Sequence, residues 1–493
     1  MFTSFHLNGR LCSSDLIRHI AAEAKTPYTF LITKPDIEWV YRAQERMLQV
    51  LQMTHAKMVY SDHFQRICPG TQASSPAQGG AVSGPRQEIP PLEAPVIDYQ
   101  LGALRDDFDF GAVMLWDTNA LQEAAARMTA NYQYAGLYDL RLKASENAQT
   151  PFVHIPEYLY YEIEHDNRKS GEKLFDYVDP RNRAVQIEME QAVTEHLRAI
   201  HALITPTDIH PVEIKNADEY PVTASVIIPC KNRARTVRDA ITSALSQQVK
   251  APYSFNVFIV DDNSTDGTQD IIRELLAANQ AARQTNPATP ELIYIAQDPT
   301  YHAIGGNWNK AIHDPRCGQY AIQLDADDTY SSTHTVQAFI DKFREGNYAL
   351  VIGTYQMTDI DGNILPPGII DHREWTDHNG MNNALRINGL GAPRAFLTPL
   401  LRTIDFPTTK YGEDYAVALR ICREYPVGRI YDVVYNCRRW ECNSDANCDI
   451  PTMNRNNWYK DRIRTWELQA RINNTGDAGV SPAGSSGRTD CIQ

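Results

Sequence analysis

Val226-Ile227-Ile228-Pro229-Cys230-Lys231-Asn232 is followed, after a helical stretch over residues 237–248, by Val257-Phe258-Ile259-Val260-Asp261-Asp262-Asn263-Ser264-Thr265-Asp266-Gly267-Thr268. Each is a short β-branched run that ends in a turn rich in polar groups. Strand, helix, strand in that order is a βαβ unit, and such units bind ligands at the carboxyl ends of their strands. A second acidic turn, Leu324-Asp325-Ala326-Asp327-Asp328, follows another strand-like run.

Hard oxygen ligands such as Asp325, Asp327 and Asp328 suit Mg²⁺ or Mn²⁺. Alternation along a strand end would point Asp325 and Asp327 the same way, toward one cation. One or two carboxylates on a divalent ion, completed by water and substrate oxygens, is the usual way to hold a diphosphate. The competing reading is a solvated turn in which Asp328 caps a helix starting near Ser332. At Asp261 and Asp262 a carboxylate can accept from a base N–H or from ribose hydroxyls. The alternative there is an Asx turn capping the helix near Thr268.

These motifs, with Gly412-Glu413-Asp414, resemble a family 2 glycosyltransferase of the GT-A fold over residues 222–445. The resemblance implies an α/β Rossmann-like mixed sheet flanked by helices, a nucleotide-sugar donor, Mn²⁺ or Mg²⁺, and inversion at the anomeric carbon. It places Pro229, Lys231, Asn232, Asp261, Asp262 and Asp325 at the nucleotide. Asp325, Asp327 and Asp328 fall to the metal, and Asp414 becomes the general base. Many relatives carry an aromatic where Lys231 stands, so the nucleotide stays open, with a UDP-sugar first and a GDP-sugar second. Asp414 also suits its role physically. An inverting transfer needs a proton acceptor opposite the leaving diphosphate. A carboxylate opening a helix over residues 415–423 would be kept charged by the helix dipole.

Residues between the metal and base motifs are dense in sugar-binding groups. His372, Trp375 and Asn388 are candidates for the donor sugar or acceptor, as are Glu413, Arg438, Arg439 and Trp440. The two arginines could hold a diphosphate, or simply pair with surface acids. Gly305-Gly306 opens a helix, which suits phosphate approach or tight packing.

Composition narrows the partners. A net charge of −14 over 493 residues argues against nucleic acid. No apolar run approaches the roughly 20 residues that span a bilayer. The first residues lack a basic stretch followed by an apolar one, so no secretory leader is expected. Nine cysteines without framework spacing read as reduced thiols, which indicates a cytoplasmic protein. The acceptor expected is a glycan or a lipid-linked sugar, the latter reached by peripheral membrane contact.

The chain divides into an N-terminal domain (1–205), a linker (206–221), a catalytic domain (222–472) and a disordered tail (473–493). The first domain holds a flexible loop (69–94) and a long helix (182–203). It also looks like a degenerate, truncated GT-A-like copy of the second. Leu31-Ile32-Thr33-Lys34 precedes Ala56-Lys57-Met58-Val59 at the spacing that separates Leu324-Asp325-Ala326-Asp327 from Ala349-Leu350-Val351-Ile352. Ile32, Lys34 and Leu137 would stand where the second copy has acids, which makes the first a scaffold or acceptor-side domain. Two rivals are a sugar nucleotidyltransferase and a nucleotide-sugar-binding pseudoenzyme or scaffold in polysaccharide synthesis. The first would usually carry a glycine-rich loop where this chain has Pro229-Cys230-Lys231-Asn232-Arg233.

Overall fold

The computed structural model describes residues 2–67, 90–146, 151–164, 179–212, 219–296, 303–373, 375–376, 378–387, 390–441, 443 and 448–477. They build two mixed sheets. The first contains β1 (Phe2–His6), β2 (Tyr28–Ile32), β3 (Ile37–Trp39), β4 (Met58–Ile67), β5 (Leu92–Ala94), β6 (Val113–Asp117) and β7 (Phe152–Glu164). Its order is β1-β2-β6-β4-β7-β3, with β5 on β4. Around it lie α1 (Ser14–Glu23), α2 (Ala43–Thr54), α3 (Thr118–Ala126) and α4 (Gly136–Ser145), and α5 (Arg183–Ala199) leads out of it.

The second sheet contains β8 (Ala224–Cys230), β9 (Phe255–Asp261), β10 (Glu291–Ala296), β11 (Tyr320–Gln323), β12 (Thr329–Tyr330), β13 (Leu350–Thr358), β14 (Ile364–Ile370), β15 (Arg394–Leu397) and β16 (Val427–Arg438). Its order is β10-β9-β8-β11-β15-β13-β16-β12, with β14 on β13. Its helices are α6 (Val237–Leu245), α7 (Thr268–Thr285), α8 (Ala303–Ile312), α9 (Thr335–Glu345), α10 (Gly380–Asn383), α11 (Thr398–Ile404), α12 (Glu413–Cys422) and α13 (Ile450–Asp477). All residues of β8 and β9 are buried. Strands covered on both faces need continuous apolar runs, and this pair supplies them. The βαβ unit read from the sequence is present, with β8 parallel to β9.

The two sheets share a plan. In the second, Ile322, Ala395, Val351 and Gly428 form one row across β11, β15, β13 and β16. In the first, Phe30, Leu115, Val59 and Val153 form the matching row across β2, β6, β4 and β7. Strand directions agree throughout, and β4–β7 and β13–β16 both slip register part-way along. Among the described residues the first sheet lacks counterparts of β9 and β10.

This register corrects the sequence alignment by one position. Three residues beyond the shared row stand Asp325 in one sheet and Thr33 in the other, so Thr33 and Pro35, not Ile32 and Lys34, occupy the acidic positions. β2 and β11 are buried almost throughout, so no polar alternation fixes their phase in the sequence.

Other boundaries moved as well. β5 lies inside the stretch expected to be loop, of which residues 69–89 are outside the described set. The long helix ends at Ala199, before His201 takes a left-handed φ of 59°. The linker holds a 3₁₀ turn, Pro206–Asp208. α13 continues to Asp477 through residues assigned to the tail. Gly305 and Gly306 lie inside α8, and packing explains Gly305: a methyl there would collide with the Pro407 carbonyl oxygen.

The two halves share packing. Leu104, Tyr138, Leu142, Met189 and Val193 of the first belong to the apolar cluster built on the second sheet. Among the described residues no helix is long and apolar enough to cross a membrane. Cys12, Cys230, Cys317 and Cys422 are buried free thiols. Gly305→Ala should lower unfolding stability by about 1–3 kcal/mol, the usual cost of overpacking. Urea denaturation with an unchanged m-value would check it, and a neutral result would refute the packing account.

Candidate active site

A cleft of about 570 Å³ opens at the carboxyl ends of β8 and β11. Pro229, Lys231 and Asp262 line it on one side, Asp325, Asp327 and Asp328 at the floor, and Glu413 and Asp414 opposite. The acidic turn follows β11 rather than ending it, so strand alternation does not orient Asp325 and Asp327. Their positions come from tertiary partners. The Asp325 N–H donates to Tyr435 Oη (3.0 Å), and Gln323 Nε2 donates to Asp325 Oδ1 (2.9 Å). Asp328 does not cap α9, which begins at Thr335. It accepts instead from the Arg438 N–H at 2.7 Å.

One chain of contacts crosses the cleft floor. Arg394 Nη1 pairs with Asp414 Oδ2 at 2.5 Å. The same side chain donates through Nε to Gln323 Oε1 (3.1 Å), and Gln323 holds Asp325. Asp414 sits in the first turn of α12, where its Oδ1 also accepts from the Tyr415 N–H. Burial pushes its carboxyl up, but Arg394 and then Lys460 outweigh burial and hold it below the ordinary value. The helix start was expected to do this; the cations that do it are side chains from β15 and α13. Glu413, its neighbour, lines the cleft but is only 6% exposed. Burial, and then the charge of Asp414, push its carboxyl up to about 8.

The acidic turn is short of positive charge. Burial first, and neighbouring carboxylates after it, raise Asp325, and they raise Asp328 much further. Three donors gather on Asp327 Oδ2: Arg233 Nε (3.3 Å), Trp440 Nε1 (3.3 Å) and Asn443 Nδ2 (3.2 Å). Such a set fits a hard divalent cation. Among the described residues no group of three or more His, Cys, Asp or Glu side chains is placed to hold a metal ion, so Asp325, Asp327 and Asp328 do not form a three-carboxylate site by themselves.

Several expected residues stand elsewhere. Asn232 does not line the cleft: its N–H donates to Ser264 Oγ and its Oδ1 accepts from Thr265, bracing the two loops together. Asp261 accepts from the Ser264 N–H and from Gln269, so it shapes the turn. Asp262 does reach the cleft, paired with Lys231 Nζ at 3.0 Å. Trp375 is 3% exposed and packs under Gly380, too deep to stack on a sugar. His372 is buried behind Gly391, beside Tyr355. Arg438 pairs with Asp239 at 2.8 Å and donates to the Asp327 carbonyl, so it shapes the acidic turn. Arg439 lines the cleft. Trp440 donates to Asp327, with the Arg235 guanidinium 5.5 Å over its ring. Asn388 lies outside the described residues. The sequence reading passed over Arg394, Gln323, Lys460, Arg233 and Asn443 as site residues. No local motif marks them; each reaches the site from a separate element.

Residues 225–397 match the family described as Glycosyl transferase family 2. This is a family 2 glycosyltransferase domain. Its curated relatives include the chondroitin synthase of Escherichia coli, 31% identical over 145 residues, which are 29% of this chain and 19% of that protein. The succinoglycan biosynthesis protein ExoU of Rhizobium meliloti (strain 1021) is 26% identical over 231 residues, 44% of this chain and 61% of that protein. The chain thus spans less than two thirds of either relative. Among solved structures, Staphylococcus aureus TarS 1-349 with UDP-GlcNAc aligns at 17% identity and a TM-score of 0.38, over 52% of this chain and 73% of that one. The glycosyltransferase domain has a mixed α/β sheet of the GT-A class, with the acidic turn and the Glu413-Asp414 pair on one cleft. At the matching end of the first sheet the cavity is only about 50 Å³, lined by Phe108, Phe110, Met114, Trp116 and Leu137.

Glu413 sets a pH test. Its folded pKa near 8 exceeds the unfolded 4.5, so the folded state binds more protons between those values and loses stability as pH rises through them. Glu413→Gln removes that loss. Its Tm should exceed wild type at pH 8.5, and the difference should close as pH falls toward 4.5. A gap independent of pH would contradict the buried, protonated carboxyl.

Proposed function

We propose that this chain transfers a sugar from a nucleoside-diphosphate donor to a hydroxyl of a glycan acceptor, with inversion and with a divalent cation. One observation carries the reading: a single cleft holds Asp414, ionised beside Arg394, and the acidic turn 325–328 that Gln323 ties to the same arginine. The curated relatives named for polysaccharide synthesis support the glycan acceptor. A UDP-sugar is the first donor to test and a GDP-sugar the second, because Lys231 leaves the base without an aromatic neighbour on that loop.

Asp327 would hold Mn²⁺ or Mg²⁺, with Asp325 and Asp328 beside it. The cation would act as a Lewis acid on the departing diphosphate. The remaining work falls to side chains of this chain. Lys231, Asp262 and Pro229 form the wall available to the nucleotide. Arg439 adds positive charge near the phosphates. The acceptor hydroxyl gives its proton to Asp414 as its oxygen bonds to C1 of the sugar. The C1–O bond to phosphate breaks on the opposite face, and its electron pair leaves with the diphosphate. Arg394 keeps Asp414 charged before the step, and the pairing positions one carboxylate oxygen. The first half serves as a non-catalytic domain: its cavity is far below the ~300 Å³ at which small-molecule sites begin.

A panel of nucleotide-sugars with Mn²⁺ and a glycan acceptor should give one productive donor, and NMR of the product should show the inverted anomer. Asp414→Asn should lower kcat by roughly 10²–10⁴-fold while Mn²⁺-supported nucleotide binding, read by calorimetry, stays within a few-fold of wild type. Asp327→Asn should instead weaken that binding at least tenfold. Wild-type turnover in Asp414→Asn would remove it as the base, and a retained anomer would remove single displacement.

A further inference from the structure

The longest helix, α13, lies outside the segment that matches the family, yet it supplies Lys460 to the cleft wall. Lys460 is 7% exposed, with its ammonium 4.5 Å over the Tyr411 ring and 5.6 Å from that of Tyr415. It lies close enough to Asp414 to act on its charge. Both domains hold α13: in the second, Arg471 Nη2 donates to the Met381 carbonyl (2.9 Å) and Arg423 pairs with Glu467, and the first grips the same helix through its backbone and side chains. The Gly102 N–H donates to Thr465 Oγ1 (2.9 Å), Gln100 Nε2 to the Trp458 carbonyl (3.0 Å), and Asn454 Nδ2 to the Pro95 carbonyl (2.6 Å). Gly102 is wedged so tightly that a Cβ would collide with the backbone of Asp461, Arg464 and Thr465.

Charge follows the same route. Arg105 Nε lies 3.4 Å from Asp461 Oδ1, which accepts from Arg464 Nη1 at 2.8 Å. Arg464 Nε then donates to Tyr415 Oη at 2.9 Å. Asp461 is the chain neighbour of Lys460, and Tyr415 that of Asp414. Asp106 pairs with Arg386 Nη1 at 2.6 Å, and the loop after Arg386 accepts from Arg464 at the Ile387 carbonyl. Arg105, Arg386, Tyr415, Asp461 and Arg464 are almost fully buried, so this part of the network has a single arrangement and transmits displacement rather than absorbing it.

We propose that the N-terminal domain is a positioning element for the transfer step: its segment 100–106 seats α13 so that Lys460, a positioning residue, stands beside Asp414. The inference rests on the transferase reading above and assigns the first domain a part in it. The nucleotide wall and the acidic turn lie on other elements. Disturbing the segment should therefore act on turnover and leave the donor side alone.

The test uses the full-length protein with the productive donor, Mn²⁺ and acceptor. Lys460→Met should lower kcat at least tenfold with the donor KM within twofold, and Lys460→Arg should recover most of it. Gly102→Ala, outside the cleft lining but tight on α13, should show the same split. Gln100→Ala should show a milder one if Gly102→Ala fails to fold. The double variant Gly102→Ala/Lys460→Met should be no slower than the slower single, since both remove one arrangement. Multiplying losses, or a donor KM that rises in step with the kcat loss, would overturn the proposal. If wild type transfers no sugar from any donor, the transferase reading fails instead, which separates the two failures.

Discussion

The guanidinium of Arg394 is the constraint on which the site depends. It reaches Asp414 on one side and, through Gln323, Asp325 on the other. Three elements meet there: β15 carries the arginine, β11 ends in the glutamine, and α12 begins with the two acids. A planar group with five donors in a fixed fork can serve two acceptors at set angles. A lysine would hold the aspartate but not the glutamine in the same geometry. The spacing between Asp414 and the acidic turn is thus set by one buried side chain rather than by loops.

Electrostatics divides the cleft into two regimes. On the base side, cations outnumber what Asp414 alone requires, and Glu413 is protonated by burial. On the floor, Asp325, Asp327 and Asp328 crowd together, and burial with mutual repulsion raises two of them. Burying like charges without compensation is expensive. Arg233, Trp440 and Asn443 offset part of that cost at Asp327. A divalent ion would offset more of that cost.

The first domain repeats the strand order and register of the second without its function-bearing groups. Thr33 and Pro35 stand at the positions of Asp325 and Asp327, and aromatic rings fill the space at that end of the sheet. What that half retains is a rigid frame. Its segment 95–107 is knit into α13, and its helices α4 and α5 join the apolar core of the second half. A sheet of the same strand order without a sizeable pocket at that end has surfaces to spare for bracing a neighbour.

The βαβ unit, the acidic turn and the Glu413-Asp414 pair were legible because each is local: β-branched runs, turn formers and acids at fixed offsets carry their meaning within a few residues. The doubling of the sheet was faintly legible, but its phase was not, since strands buried on both faces have no alternation to read. Asn232, Asp261, Trp375 and Arg438 were of the right types for ligands and proved to brace loops and core, because residue type does not say which way a side chain faces. Arg394, Gln323 and Lys460 come from three distant stretches and form no motif. The sequence by itself determined the sheet, its acids and the chemistry those acids permit. Tertiary structure alone decided which cations stand beside them, because pairing across the cleft depends on the packing of β15, β11 and α13, and no spacing along the chain encodes it.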